Sequence, residues 1–349
     1  MRYNITVLNH RLLPEDLKAY FVVYTWIVQI SNAFLFLFTL YIVLKWSKDA
    51  VGTYKWYILW SIVNILFFLM IMASYEIEIF PAENCSVARG IIDYFQLSDY
   101  GGYFSAVSYS FYEMHIIITF CRFAFRYAQS TQQIRLLKLM SHRLFFTALL
   151  VLNVFLVIVS IIEIGDSAKH GKEFQLEYPS NNPAMKSYFT SHTVLVVKNQ
   201  HFVTIFRFIL FPLSLLSGLW CTWRCYRFRR HPKNNFSQRT RQMYRLLIVG
   251  LLIEQSAEFY WFIVPFLSIG FFFDVEDQVA AYYILYRTFY LYPTFVMVFT
   301  LVFYRRYREG VKKVYSAFWK VNSPTVTTSN NGFSVTKISQ GVTIAKVTP

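Results

Sequence analysis

The chain has 349 residues, of which 56% are hydrophobic, 20% aromatic and only 15% charged, with a formal net charge of +15. Soluble domains carry about 25% charged residues. This composition excludes a disordered chain, a collagen-like fibre and, with four cysteines in so long a chain, a disulfide scaffold. It is also unlike a cytosolic enzyme, because the apolar residues come in blocks.

Seven blocks follow one another along the chain, at residues 20–46, 56–74, 100–125, 144–164, 202–225, 246–272 and 280–303. A bilayer core takes about 20 apolar residues per helix. In lipid only helices and closed barrels satisfy their own backbone groups, and barrel strands alternate over about 10 residues, which these blocks do not. The expected fold is all-α, a seven-transmembrane helix bundle over residues 20–303. Residues 1–19 form an extracellular N-terminus in this reading. The first block is longer than the apolar region of a signal peptide, about 7–15 residues, and shows no cleavage site, so it is expected to serve as a signal anchor.

Most of the 34 Lys and Arg fall after helices one, three and five and in the tail, where Asp49 and Glu309 are the acids. Positive loops stay in the cytoplasm, which puts the N-terminus outside and the C-terminus inside. The basic residues flank apolar spans, where they meet anionic lipid, so the bilayer is the expected partner and nucleic acid is not. Trp46, Trp56, Trp223 and Trp319 sit at the same boundary, as interfacial aromatics do.

Two sequons fit this orientation, Asn4-Ile5-Thr6 and Asn84-Cys85-Ser86, making Asn4 and Asn84 glycosylation candidates. The second outer loop, residues 166–201, has strand-like runs at 174–178 and 193–197 separated by Pro179 and Pro183, expected to form a two-stranded lid. Cys221 and Cys225, one helical turn apart, are either palmitoylated or two buried thiols. After helix seven, Tyr307, Val311, Val314, Tyr315 and Phe318 recur at helical spacing among Arg308, Lys312, Lys313 and Lys320. This predicts an amphipathic membrane-surface helix over 304–320, followed by a disordered cytoplasmic tail over 321–349.

Apart from Lys45, Arg122 and Arg224 near the inner ends, six acidic or basic residues lie inside the blocks, Glu113, Glu163, Arg207, Glu254, Glu258 and Arg287, and such residues point to function because they are costly in lipid. At 1.5 Å per residue Glu113 and Glu258 lie about 20 Å below their outer ends, within reach of arginines entering from outside. Arg207 and Arg287 are expected to pair with Glu113 and Glu258 around a polar cavity open to the outside. Its walls are aromatic, with Tyr109, Tyr112, Trp261 and Tyr283 as ligand contacts and Tyr260, Tyr286 and Tyr290 as further candidates. Static ion pairs that fix helix order, and aromatics that only pack, are the competing reading. Glu254 and Glu258, four residues apart, also suit a cation or a proton, as in a transporter. No phosphate loop, His-Glu-x-x-His or Cys-x-x-Cys occurs, so no enzyme activity, cofactor or metal is expected. His115 is read as a packed histidine.

The stretch over residues 45–90 contains Gly52-Thr53-Tyr54-Lys55-Trp56 before the second block, then Phe80-Pro81 and Gly90 after it. The end of helix seven reads Thr294-Phe295-Val296-Met297 followed by Tyr304-Arg305-Arg306-Tyr307-Arg308. These segments resemble the nematode serpentine chemoreceptors of the Str superfamily, especially the Srh and Sri groups, although Arg306 replaces a proline usual there. The resemblance implies a chemosensory G-protein-coupled receptor that binds an extracellular small molecule or peptide and activates a heterotrimeric G protein. It further implies a multi-pass plasma-membrane protein, with the ciliary membrane of sensory neurons as a candidate location. Arg122, in Cys121-Arg122-Phe123, would face the G protein with Arg126, Arg239, Arg241 and Arg245. A ligand-gated channel or a transporter using the intramembrane carboxylates is the alternative.

Overall fold

A computed structural model describes residues 11–47, 53–95, 97–178, 182–197, 201–230 and 238–322. All seven apolar blocks are helical. The spans are Glu15–Trp46, Tyr54–Tyr75, Gly101–Ser130, Arg143–Ile164, His201–Arg230, Gln238–Phe262 continued by Val264–Phe272, and Val275–Phe289 continued by Tyr292–Phe303. The first, second and fourth are the most apolar, with mean hydropathy of 2.1 to 2.8 over their best windows. The third and sixth are less so because they carry Glu113, Arg122 and Arg126, and Glu254 and Glu258.

The breaks in spans six and seven follow from proline. Pro265 and Pro293 each sit at the start of the second half of their span. A proline has no N–H to give to the carbonyl four residues back, and its ring crowds that carbonyl. In span seven the interruption is bridged from span one. Asn32, fully buried, donates Nδ2–H to the Tyr290 carbonyl at 2.9 Å and accepts from the Thr294 hydroxyl at 2.5 Å. Asn32→Leu strips this partner from the buried Tyr290 carbonyl and the half-buried Thr294 hydroxyl, at a cost of about 1–3 kcal/mol. The expected result is a lower unfolding temperature of the detergent-solubilised protein with no loss of helical circular dichroism at low temperature.

One end of the bundle carries a small antiparallel sheet in the order β1 (Glu78–Phe80), β2 (Cys85–Ala88), β3 (Thr193–Val196). Phe80 pairs with Cys85, and Cys85 with Val196. Pro81 and Asn84 make the β1–β2 turn: Asn84 donates its N–H to the Pro81 carbonyl at 3.2 Å and takes a left-handed φ of 51°, which asparagine tolerates better than most residues. The hairpin then clamps the end of span two, because the Arg89 and Gly90 N–H groups both reach the Tyr75 carbonyl at 2.9 Å. A Cβ on Gly90 would stand 2.3 Å from the Ser74 carbonyl oxygen, so only glycine fits. Both Phe80-Pro81 and Gly90 are thereby explained by one clamp.

The expected lid is half right. Residues 193–197 give β3, but 174–178 are not a strand: they end the helix Ser167–Glu177. Ala168, Gly171, Phe174 and Tyr178 are buried at spacings of three and four, a helical period that the short apolar run concealed. A second lid helix, Pro183–Ser191, is capped by the Asn182 side chain, which accepts from the Met185 N–H at 3.3 Å. Phe80, Val87, Phe174, Phe189 and Val194 form a small core between the lid helices and the sheet. Gly171 rests against β3 so closely that a Cβ would lie 1.8 Å from the Val194 carbonyl oxygen.

The opposite end of the bundle carries a helix, Arg305–Asn322, after span seven. Tyr307 is buried and hydrogen-bonded to Ser47 at 2.8 Å, whereas Tyr315, Phe318 and Trp319 are exposed beside Arg308, Lys312 and Lys313. Asn4 and residues 323–349 lie outside the described residues, as do the side chains of Arg207, Arg239 and Arg241.

Candidate functional site

Charged side chains inside a membrane bundle need partners, and here they gather in two clusters. The first lies at the sheet end. Glu76 follows the last residue of span two in a left-handed conformation, φ 49°, which carries its carboxylate towards span seven. It accepts from the Tyr283 hydroxyl at 3.1 Å and stands 4.0 Å from Nη2 of Arg287. Burial raises the pKa of Glu76 above the ordinary carboxylate range, with Arg287 and the Tyr283 hydrogen bond pulling the other way. Arg287 is 2% exposed, lies over the Tyr283 ring at 4.2 Å and donates from Nη1 to the Tyr290 hydroxyl at 3.3 Å.

Beside it stands a second group of charges. Glu78 on β1, fully buried, receives Lys18 of span one at 2.6 Å and Arg89 at 3.3 Å, and accepts a hydrogen bond from Tyr188 of the lid. Arg89 also pairs with Glu15 at 2.6 Å. Burial works to lower the pKa of Arg89, but the hydrogen bond it donates to Glu15 and the nearby Tyr188 and Glu78 outweigh it and hold the guanidinium above its usual value.

The other cluster lies deeper, towards the tail end. Arg122 of span three is 3% exposed and donates from Nη2 to Glu254 of span six at 2.7 Å. Its Nη1 reaches Ser61 of span two at 3.4 Å, and the Ser61 carbonyl meets Nδ1 of His115 at 2.9 Å. Nε2 of His115 faces Glu258 at 4.0 Å. Tyr304, at the end of span seven, donates to Glu254 at 3.5 Å, and its hydroxyl lies 3.4 Å from that of Tyr54. The Arg126 guanidinium covers the Tyr54 ring at 3.6 Å and lies 5.3 Å from the Tyr304 ring. Spans two, three, six and seven are thus joined through one buried arginine.

Between the clusters an aromatic layer closes the bundle. Tyr112 packs on Phe68 and Phe262, and Phe262 packs on Tyr292 and Phe289. Tyr109 lies beside Phe68, and Trp261 packs on Tyr292 and Phe295 while donating to the Thr288 carbonyl at 3.4 Å.

The ion pairs expected for Arg287 are therefore not formed. Its carboxylate is Glu76, because the left-handed turn after span two brings that side chain to it, while Glu258 faces His115 one layer away. Glu113 is buried. Tyr283 joins Arg287, Tyr109, Tyr112 and Trp261 lie in or beside the aromatic layer, and Tyr260 is 63% exposed. Arg122 and Arg126, expected at a partner surface, are engaged inside the bundle in this arrangement, whereas Arg245 is exposed. Cys221 and Cys225 are both buried, which favours the reading as packed thiols. The pairing of Arg122 with Glu254 was missed because Glu254 was grouped with Glu258 by spacing. Its signal was nevertheless present, since an arginine and a carboxylate both sit deep in apolar spans. The Lys18–Glu78–Arg89 group gave no such signal, because all three residues lie outside the expected spans or at their edges.

No curated protein matches the chain. Residues 16–317 match the family described as serpentine type 7TM GPCR chemoreceptor Srh, which takes in all seven spans and most of the helix after them. The protein is a multi-pass membrane protein and belongs to the Srh family of serpentine seven-transmembrane chemoreceptors.

Proposed function

We propose that the protein is a chemosensory receptor of the plasma membrane, in sensory neurons the ciliary membrane, that binds an extracellular chemical and activates a heterotrimeric G protein. The sheet end and its lid face outside, and the tail end faces the cytoplasm. Ligand entering from the sheet end contacts Arg287 and Tyr283, with Tyr109, Tyr112, Glu113, Arg207, Glu258 and Trp261 as the further contacts. A ligand shifts the receptor only as far as it binds one helix arrangement better than another.

The observation that carries the reading is the Arg122–Glu254 pair, which ties span three to span six where the bundle approaches its basic end. Opening it frees Arg122 to meet an acidic partner together with Arg126, Arg239, Arg241 and Arg245. Basal signalling of Glu254→Gln in a reporter cell is the test, and the reading predicts a rise. The helix Arg305–Asn322 lies on the cytoplasmic membrane surface in this proposal, with Tyr315, Phe318 and Trp319 entering the lipid and Arg308, Lys312 and Lys313 at the headgroups. The residues after Asn322 face the cytoplasm in this proposal.

Asn84 lies exposed at the tip of the β1–β2 turn, a position an oligosaccharide transferase can reach. With the sheet end outside, the protein made in cells shifts to higher mobility on a gel after N-glycanase treatment, and Asn84→Gln, together with Asn4→Gln, abolishes that shift. An unchanged shift in the double variant overturns the assignment, and no shift in the parent protein overturns the orientation.

A further inference from the structure

At the sheet end, spans one, two and seven do not close on one another. They leave a cavity of about 250 Å³ whose walls include Val22 and Trp26 of span one, Glu76 and Arg89 on either side of the hairpin, Tyr94, and Arg287 of span seven. Trp26 and Tyr94 are exposed at its rim, so the cavity has an edge open to the surroundings. One side of it is apolar and the other is charged.

The charged side is incompletely satisfied. Arg287 is buried, yet its Nε and Nη2 have no hydrogen-bond partner among the described residues. Nη1 meets the Tyr290 hydroxyl, and the guanidinium also interacts with Tyr283, over whose ring it lies. Glu76 balances the charge from 4.0 Å, too far for a hydrogen bond, and spends one of its oxygens on Tyr283. A guanidinium presents its donors as a fork that a carboxylate matches with two parallel bonds, and such charge-assisted bonds gain most where water is excluded. Nε and Nη2 are one edge of that fork.

We infer that the cavity between spans one, two and seven binds an anionic headgroup on a short apolar chain, a carboxylate above all, with the headgroup on Nε and Nη2 of Arg287 and the chain against Val22 and Trp26. The inference rests on the receptor reading for the ligand's role and adds its chemical class and its place, the cavity between spans one, two and seven. Glu76 limits the site to ligands that tolerate a neighbouring carboxylate. Burial pushes the pKa of Glu76 up, against the pull of Arg287 and the Tyr283 hydrogen bond, which is the direction that eases the approach of an anion. The groups facing Glu76 are Arg287, Tyr283, Arg89 and Glu78. The same headgroup chemistry is carried by diffusible acids and by anionic lipids, and the size of the cavity suits a headgroup with a few methylenes, not two full acyl chains.

The test is direct binding to the full-length protein in nanodiscs, which needs no G protein and so stands or falls separately from signalling. Octanoate, methyl octanoate and octylamine are compared in discs of purely neutral lipid and in discs containing anionic lipid. Saturable binding of octanoate, with none of the ester or the amine, is the expected result in neutral discs. Arg287→Gln weakens it by about tenfold or more, the weight of one hydrogen bond to a charged group. Val22→Trp, which fills the apolar side and leaves every charge in place, blocks it while the unfolding temperature without ligand stays as in the parent protein. Arg305→Gln, on the exposed tail helix, changes nothing. Equal binding of acid and ester, or octanoate binding unaltered by both Arg287→Gln and Val22→Trp, overturns the proposal. Competition by anionic lipid that Arg287→Gln relieves identifies a lipid headgroup as a second source of the same anion. Absence of octanoate binding in neutral discs overturns the diffusible ligand.

Discussion

Glu254→Gln is expected to raise ligand-independent signalling at equal surface expression. The carboxylate holds Arg122 at 2.7 Å, and Arg122 is 3% exposed, so removing the carboxylate leaves a buried arginine without its hydrogen-bonded counter-charge. Breaking a buried pair by deleting one partner costs about 3–5 kcal/mol because the remaining charge stays desolvated. That cost falls on the closed arrangement alone if Arg122 reaches water or an acidic partner in the open one. Coupling energies between sites are typically about 1–3 kcal/mol, and a shift of that size changes the equilibrium roughly 5–150-fold. Arg122→Gln also breaks the pair, but it removes the charge that would meet the partner, so it is expected to lower signalling to both ligand and basal stimulus. The exchange Arg122→Glu with Glu254→Arg rebuilds the pair with the charges reversed and returns basal output towards the parent level. Unchanged basal output in Glu254→Gln, with surface staining equal to the parent, overturns the lock. The neighbouring contacts set how far the effect spreads. Tyr304 hydrogen-bonds Glu254 and lies beside Arg126, so loosening span six is transmitted to the end of span seven and to the start of the tail helix.

The seven spans were legible because the physics behind them acts residue by residue: a block of about 20 apolar residues has few places to go other than a bilayer. The site was legible only in its ingredients. Arg287 and Tyr283 are buried and Tyr112 is half-buried, but their partners depend on geometry that no spacing encodes. Glu76 reaches Arg287 through one left-handed residue after span two, and nothing in the local sequence marks that residue as left-handed, since glutamate takes such a conformation rarely. The 174–178 run reads as a strand because five residues are too few to separate a period of two from one of 3.6. Only the larger set of Ala168, Gly171 and Phe174 shows the helix. The resemblance segments fared better, since Phe80-Pro81 and Gly90 mark a turn and a close backbone approach, and both are local demands on residue type.

Glu78→Ala is expected to be the most damaging single change at the sheet end. Glu78 takes a buried ammonium from span one, a guanidinium from the chain after β2 and a hydroxyl from the lid, so three separate segments close on one carboxylate. Lys18 is 3% exposed at its side chain, and its other acid, Glu15, stands at 3.3 Å and is itself largely in solvent. Without Glu78 the ammonium is stranded, and the cost is again about 3–5 kcal/mol, a large part of a total stability of about 5–15 kcal/mol. Arg89 suffers less, because Glu15 holds it at 2.6 Å. The measurement is thermal unfolding of the purified protein together with surface staining of tagged protein, and both should fall steeply in Glu78→Ala. Lys18→Met combined with Glu78→Gln removes the stranded charge and keeps an acceptor for Tyr188, so this double variant should recover more than half of the lost unfolding temperature. Losses that simply add would mean that Lys18 finds another partner or water, and that Glu78 is not what closes the lid. Arg89 also lines the cavity beside Arg287, so a sheet end that opens in Glu78→Ala should lose carboxylate binding even in the fraction of molecules that reach the surface.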